Sequence, residues 1–285
     1  MRIRSGVAGW DYPDWVGPVY PAGVKGVDRL RFLSRFVDLV EINSTFYRPN
    51  DPRHAERWRA AVEARADFRF SAKAHRNWTH EPGIPDVRPC LEGLAPLHEA
   101  GRLGALLIQF PPSFRDSEEH VDRILRLAEA ATGWPLVVEV RHASWMRPGA
   151  WGPFRDVELS RCIVDQPRAG TNVAEATAEH ASPIGYLRLH GRRASAWFDP
   201  SASVYDRYDY RYHVDELKPL VGLLKSADAA TKFIVGNNHP RGQALVNALQ
   251  VRNLLGEPDL EAPAGLVEAY REALPFARGL KIGLF

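Results

Sequence analysis

Short apolar runs alternate with amphipathic stretches along the whole chain, and no low-complexity linker separates them. Ile3 to Ala8 reads as a first strand, followed by the turn-rich Gly9-Trp10-Asp11-Tyr12-Pro13 and a loop rich in Gly and Pro. From Asp28, read as an N-cap, Leu30, Leu33, Phe36 and Val37 recur at helical spacing, with Arg29, Arg31 and Arg35 between them. Leu39 to Asn43 is a second strand. Asp51-Pro52 pairs an N-cap with a proline at the first helical position and opens a helix through about Arg65, after which Phe68 to Lys73 is a third strand. Leu103 to Gln109, stopped by Pro111-Pro112, is a fourth. Ser117 then caps a helix with Glu118 and Glu119 in its first turn, where the helix dipole favours them, and with Val121, Ile124, Leu125 and Ala128 as its inner face.

Leu136 to Val140, Cys162 to Asp165 and Gly185 to Leu189 give strands five to seven, joined by segments with weaker helical signals. Leu217, Leu220, Val221 and Leu224 mark a helix before an eighth strand, Thr231 to Val235; Pro219 predicts that this helix begins late or kinks. Gln243 to Leu255 is the last helix, with Gly256 as its C′ residue. Eight strands, most followed by a helix, match a TIM-type (β/α)₈ barrel better than a doubly wound sheet. The 285 residues fit one such domain, with a core over about 3–256 and a C-terminal extension over 257–285.

Parallel strands covered on both faces should be almost wholly Val, Ile and Leu, and several of these are not. Strand two ends Glu41-Ile-Asn43, strand five Glu139-Val-Arg141 and strand seven Arg188-Leu-His190. A strand has period two, so both polar members of each pair share a face, and the apolar residue between them faces the helices. The polar face is therefore the barrel interior. Lys73, Gln109 and Asp165 end strands three, four and six, and Asn237 and Asn238 follow strand eight, so the same reasoning places them at one rim. Three carboxylates (Glu41, Glu139, Asp165) are thus expected to face three cations (Lys73, Arg141, Arg188), with His190 as the group that titrates near neutrality. Burying an unpaired charge is costly, so such a set implies mutual pairing, a bound ligand, or both. A self-compensated ion-pair layer is the plainer alternative, but active sites of such barrels sit at this end.

A second concentration follows strands seven and eight. Gly191-Arg192-Arg193 comes after His190, and Asn237-Asn238-His239-Pro240-Arg241-Gly242 runs into the last helix. Many barrels hold a phosphate here on backbone N–H groups, with Gly242 allowing close approach and Arg241 adding charge; an ordinary helix start with solvated arginines would read the same. Aromatic residues crowd the same loops: Trp10, Tyr12, Trp15, Phe46, Tyr47, Trp78, Trp145 and Trp197. Their clustering suits stacking on a sugar or base, although any one of them alone reads better as loop filler. The stretch Tyr205 to Tyr212 has the composition of a lid over the mouth, or of a surface hairpin.

Composition narrows the functional classes. The 37 Lys and Arg nearly balance 35 Asp and Glu, and a net charge of +2 gives no global field that argues for nucleic acid or a membrane. Cys90 and Cys162 form no CxxC, which fits packed thiols in a reducing compartment. The opening residues lack the apolar core of a secretory leader and no apolar run is long enough to span a bilayer, so a cytoplasmic location is expected.

These motifs together resemble the YecE-like proteins, a domain of unknown function numbered 72. The resemblance rests on Gly6-Val-Ala-Gly-Trp10 with Tyr12-Pro13 and Trp15, on Glu41-Ile-Asn-Ser-Thr-Phe-Tyr47, and on Lys73 with Thr79-His80. It continues through Gln109-Phe-Pro-Pro-Ser-Phe114, Glu139-Val-Arg-His142 with Ser144-Trp145, Arg188-Leu-His-Gly191, Asn237-Asn238, and Gly242-Gln-Ala with Asn247-Ala248. It implies a TIM-type barrel and supplies no reaction. Val173 to Pro183 and the tail beyond Gly256 match none of these motifs.

Three functions remain open. In the first, the mouth binds a small phosphorylated or carboxylated polyol or sugar. Glu139 or Glu41 is then the base, His190 the acid, and Lys73, Arg141 and Arg188 stabilise negative charge; Trp10, Asn43, Tyr47, Gln109, Arg192, Asn237, Asn238, Arg241 and Gly242 bind the ligand. A Schiff base on Lys73 is a variant, against which Glu41 would raise the amine's pKa. Glycoside hydrolysis by two of the carboxylates is another. In the second, Glu41, Glu139, Asp165 and His190 hold a divalent metal, although the interleaved cations compete with it, so no metal or other cofactor is expected. In the third, Arg192, Arg193, Arg207, Arg211 and Arg241 grip a nucleic-acid backbone, a partner the near-neutral charge disfavours. The oligomeric state is left open.

Overall fold

The computed structural model describes residues 2–167 and 183–280. In chain order the elements are β1 (Ile3–Ala8), α1 (Val27–Leu33), β2 (Leu39–Ile42), α2 (Pro52–Ala61), β3 (Arg69–Lys73), α3 (Asn77–His80), α4 (Arg88–Glu99), β4 (Leu103–Gln109), α5 (Glu118–Ala130) and β5 (Leu136–Glu139). They continue with β6 (Leu159–Asp165), β7 (Ile184–Leu189), α6 (Ala194–Trp197), α7 (Val204–Tyr208), α8 (Val214–Ser226), β8 (Thr231–Gly236), α9 (Gln243–Leu254), β9 (Glu261–Pro263), α10 (Ala264–Ala269) and β10 (Arg278–Leu280). Strands β1 to β8 pair in sequence order, all parallel, and β8 closes on β1. This is the TIM-type barrel that the strand count predicts. The closure demands a glycine at one point: a Cβ on Gly6 would lie 2.0 Å from the Leu39 carbonyl oxygen across the β1–β2 seam.

Alternation along the strands sorts the core into two parts. Leu39, Leu107, Val137, Cys162, Tyr186, Phe233 and Val235 pack together inside the barrel. Their sequence neighbours Val40, Ile108 and Val138 pack outward with Phe36, Leu94 and Ile124, and Leu187 and Ile234 pack outward with Leu217 and Leu224. After Gly256, which closes α9 at φ 84°, the chain does not stray: β9 pairs with β10, and Ala262, Leu266 and Leu274 join the outer core. Among the described residues no helix is long and apolar enough to cross a membrane.

Element ends differ from the sequence reading for local reasons. Gly26 (φ 53°), not Asp28, precedes α1; Asp28 lies in the first turn, where it pairs with Arg31, and Phe36 and Val37 lie beyond the helix, buried in the turn leading to β2. Asp51 does cap α2, its carboxylate accepting from Arg53 N, but the helix stops at Ala61, and tight turns through Arg65 bring Phe68 back to the barrel. Strand β6 begins at Leu159. Ser117 caps α5 by accepting from His120 N, with Val121 and Leu125 half-buried beside the fully buried Ile124.

Helix α8 starts five residues before Pro219, because His213 and Glu216 form a reciprocal cap. Pro219 itself is exposed, so the carbonyl it leaves unbonded faces water. Helix α4, unmarked by the sequence pattern, contains Pro89 in its first turn and Pro96 in its interior; its Cys90, Gly93, Leu94 and Leu97 are buried at helical spacing. Within the segment joining β6 to β7, residues 168–182 lie outside the described residues, and with them all of the stretch Val173 to Pro183 except Pro183 itself.

Candidate functional site at the barrel mouth

The interior strand positions converge as alternation requires. Arg188 on β7 lies at the centre, 1% exposed, between two carboxylates. Its Nη2 donates to Glu41 Oε1 at 2.6 Å, and its Nη1 to Glu139 Oε2 at 2.6 Å and to Gln109 Oε1 at 3.1 Å. Arg141 Nε donates to the other Glu139 oxygen at 2.7 Å. Glu139 is thus held by two guanidinium groups, and although burial alone would raise its pKa, Arg188 and Arg141 hold it well below the usual carboxylate range. Arg188 Nε is buried and without an acceptor among the described residues.

Two contributors escaped the sequence reading. The Tyr186 hydroxyl lies 2.8 Å from Glu41 Oε2 and 2.7 Å from Ser71 Oγ, completing the second oxygen of Glu41. Both were legible by the same arithmetic, since Tyr186 stands two residues before Arg188 and Ser71 two before Lys73.

His190 is fully buried, with Arg141 Nη2 3.3 Å from Nε2, Asn237 Nδ2 3.0 Å from Nδ1, and Glu139 Oε1 3.6 Å from Nε2. Burial, then the Arg141 charge, pushes its pKa down to about 3. The expectation that His190 is the neutral-range titrant is overturned: it is a neutral imidazole throughout the physiological range. A neutral ring offers one lone pair, and two donors face it. Turning the Asn237 amide so that its oxygen accepts from Nδ1–H, while Nε2 accepts from Arg141, satisfies both.

The near-neutral group is Lys73. Its Nζ lies 3.8 Å over the Phe46 ring and forms no ion pair among the described residues. Burial, then the Arg188 charge, brings its pKa down to about 7, against the opposing pull of Glu139 and Glu41. Glu41 does pull the amine upward as expected, but its charge is paired with Arg188, and burial and the Arg188 charge outweigh it. Arg141 leaves Nη1 without a partner among the described residues.

Asp165 does not join this set. Val164 faces the interior, so Asp165 points outward, where Arg192 binds both oxygens at 2.8 and 2.7 Å and the Tyr212 hydroxyl donates at 2.7 Å. The mouth has two carboxylates against three cations rather than three against three. Asn238 is also turned away from Asn237, its amide donating to Tyr210 O and Asn247 Oδ1. With Glu41 and Glu139 spent on arginines and Asp165 on Arg192, the four residues weighed as metal ligands are not gathered; among the described residues no cluster of three such groups forms.

The loop before α9 is occupied from within the chain. The Asp14 carboxylate accepts from Arg241 N at 2.6 Å, where a phosphate was expected. A Cβ on Gly242 would lie 3.0 Å from Leu266 and Val19, so apolar side chains cover that glycine. The Arg241 guanidinium pairs with Asp209 at 2.5 Å, Arg193 with the same residue at 3.5 Å, and Arg192 also with Glu216 at 3.1 Å.

Aromatic rings wall the mouth. Tyr208 and Trp197 lie 5.9 and 6.1 Å from the His190 ring, and His239 stacks on Tyr12 at 4.3 Å. Of the expected lid, Tyr208 reaches the mouth from α7, whereas Tyr212 is fully buried beneath Asp165. Trp10 and Asn43 line a neighbouring cavity instead, and Tyr47 is 73% exposed.

Comparisons with known proteins agree with this architecture. The chain is 28% identical to the UPF0759 protein YunF of Bacillus subtilis over 278 residues, covering 89% of this chain and 94% of that protein. It is 28% identical to YecE of Escherichia coli O157:H7 over 187 residues, 64% of each chain. Among solved structures it superposes on a DUF72 family protein of Thermotoga maritima with a TM-score of 0.78 at 30% identity, covering 90% of this chain and 100% of that one. One from Enterococcus faecalis gives 0.77 at 25% identity, with 90% and 96% covered. The profile of the family described as "Protein of unknown function DUF72" matches residues 4–268, past Gly256 into α10, and the chain belongs to that family.

Proposed function

We propose that the barrel mouth binds a small anionic polyol or sugar, phosphorylated or carboxylated, and that Lys73 moves the proton in any chemistry done there. The observation that carries this is the Lys73 amine, half-buried at the mouth without a carboxylate partner among the described residues and poised near neutrality. Together with the Nη1 of Arg141, without a partner among the described residues, it offers an incoming anion two donors. The walls of Trp197, Tyr208 and Tyr12 suit the C–H faces of a polyol. Glu139, held by two guanidinium groups, makes a poor base, both oxygens of Glu41 are engaged by Arg188 and Tyr186, and His190, held neutral, positions Arg141 instead of donating a proton. This moves the acid–base role from the carboxylates and His190 to Lys73. Backbone-phosphate gripping is less well supported, because Arg192, Arg193 and Arg241 are already paired.

Calorimetric titration with glycerol 3-phosphate and with glycerol tests this. Heat is expected for the phosphate ester alone, with affinity reduced about tenfold or more in Lys73→Met. Equal affinity in the variant would place the anion elsewhere.

A further inference from the structure

Beside the mouth, a cavity of about 610 Å³ opens between the β1 and β2 loops and α2. That is ample for one ring-sized ligand. Trp10 and Trp58 line it as an edge-to-face pair, centroids 5.5 Å apart and planes at 82°, both half-buried. His54 stands against Trp58 at 6.2 Å and uses Nδ1 on Asn50, leaving Nε2 without a partner among the described residues. Arg48 is exposed and likewise makes no ion pair among them. Asn43, two residues beyond Glu41, lines the same wall.

Two indole planes at right angles cannot sandwich a flat base. They form a platform and a wall, a corner that fits the C–H face and edge of a pyranose ring. Asn43 and His54 are placed for hydroxyls, and Arg48 for a negative charge. Tyr12 links this cavity to the mouth: it lines the cavity, its hydroxyl donates to the Ala8 carbonyl at 2.6 Å, and it feels the charges of Glu41 and Arg188.

We infer that this cavity is a second ligand subsite, taking an acidic pyranose ring such as a uronic acid. That one molecule fills both compartments, an acidic glycoside with one end at Lys73, rests additionally on the proposed reading of the mouth.

The probes are D-glucuronic acid and methyl α-D-glucopyranoside, followed by tryptophan fluorescence and saturation-transfer NMR on the full chain. The acid is expected to bind more tightly than the neutral glycoside. Arg48→Gln, at an exposed position, should weaken the acid about tenfold, the loss of one charge-assisted hydrogen bond, and leave the neutral sugar unchanged. Trp58→Leu should remove the neutral glycoside and weaken the acid, and Lys73→Met should leave the neutral glycoside unchanged, since only the acid is a ligand that the mouth also takes. Failure of both sugars to bind the native chain overturns the inference. So does binding that survives Trp58→Leu and Arg48→Gln but is lost in Lys73→Met, which would put the sugar at the mouth and leave that reading standing. If instead Lys73→Met is silent toward glycerol 3-phosphate while Trp58→Leu abolishes sugar binding, the mouth reading fails and this subsite stands.

Discussion

Arg188 and Glu41, 147 residues apart, meet inside the barrel at 2.6 Å with essentially no solvent on either side chain. The same guanidinium holds Glu139 from the other side, so the three form one buried unit with a net negative charge. Its desolvation cost is offset only while all three remain. Arg188→Met is therefore expected to destabilise the fold by about 3–5 kcal/mol, since it strands Glu41 and leaves Glu139 to Arg141 alone. Adding Glu41→Gln should restore part of that loss. Urea unfolding of the single and double variants checks this, and a double variant no more stable than the single one would contradict it.

His190 should show no titration between about pH 5 and 8, unlike a solvated imidazole. The ring takes its proton at about 3 when folded, against ~6.5 when unfolded. As pH falls below the unfolded value, the unfolded state gains the proton first, so His190 contributes stability that is present above about pH 6.5 and lost toward pH 3. NMR of the imidazole resonances measures the first point. The acid limb of stability in His190→Gln, expected to be shallower than in the native chain, measures the second.

What could be read from sequence was whatever repeats with period two. Glu41, Glu139, Arg141, Arg188 and His190 were placed correctly because the intervening Ile42, Val138, Val140 and Leu189 fixed which face was buried. Asp165 and Asn238 stand at strand ends like the rim residues, but parity from the inward-facing Val164 and Asn237 turns both away from the interior. Pairings over long separations left no local mark: Asp14 reaches Arg241 N across 227 residues. Nor did burial strength, which exchanges the roles of His190 and Lys73. Helix α4 was hidden by Pro89 and Pro96, which its first turn and half-buried face tolerate.

Asp165 and Arg192 hold β6 to the segment after β7 rather than serve the mouth. Asp165→Asn should lower stability by about 1–3 kcal/mol, because Arg192 and the buried Tyr212 hydroxyl lose their charged acceptor. Affinity of the mouth for glycerol 3-phosphate should stay unchanged. A calorimetric titration giving native affinity beside a lowered unfolding midpoint is the expected pair of results, and lost affinity in a folded variant would return Asp165 to the site.

On the proposed reading of the mouth, Lys73 gives it a pH dependence. The amine is charged below about 7 and neutral above it, so anion affinity should rise as pH falls through that value. A phosphate ester titrates in the same range and would confuse the reading, whereas sulfate keeps its charge. Sulfate binding is therefore expected to be about tenfold tighter at pH 6 than at pH 8, the change in the protonated fraction of a group titrating near 7. The sign for folding is opposite: between about 7 and the unfolded value of ~10.4 the unfolded chain holds more protons, so stability climbs with pH across that window. Lys73→Met should flatten both curves. Sulfate affinity that stays steep in Lys73→Met would assign the titration to another group, and affinity flat in the native chain would leave the mouth without a titrating cation.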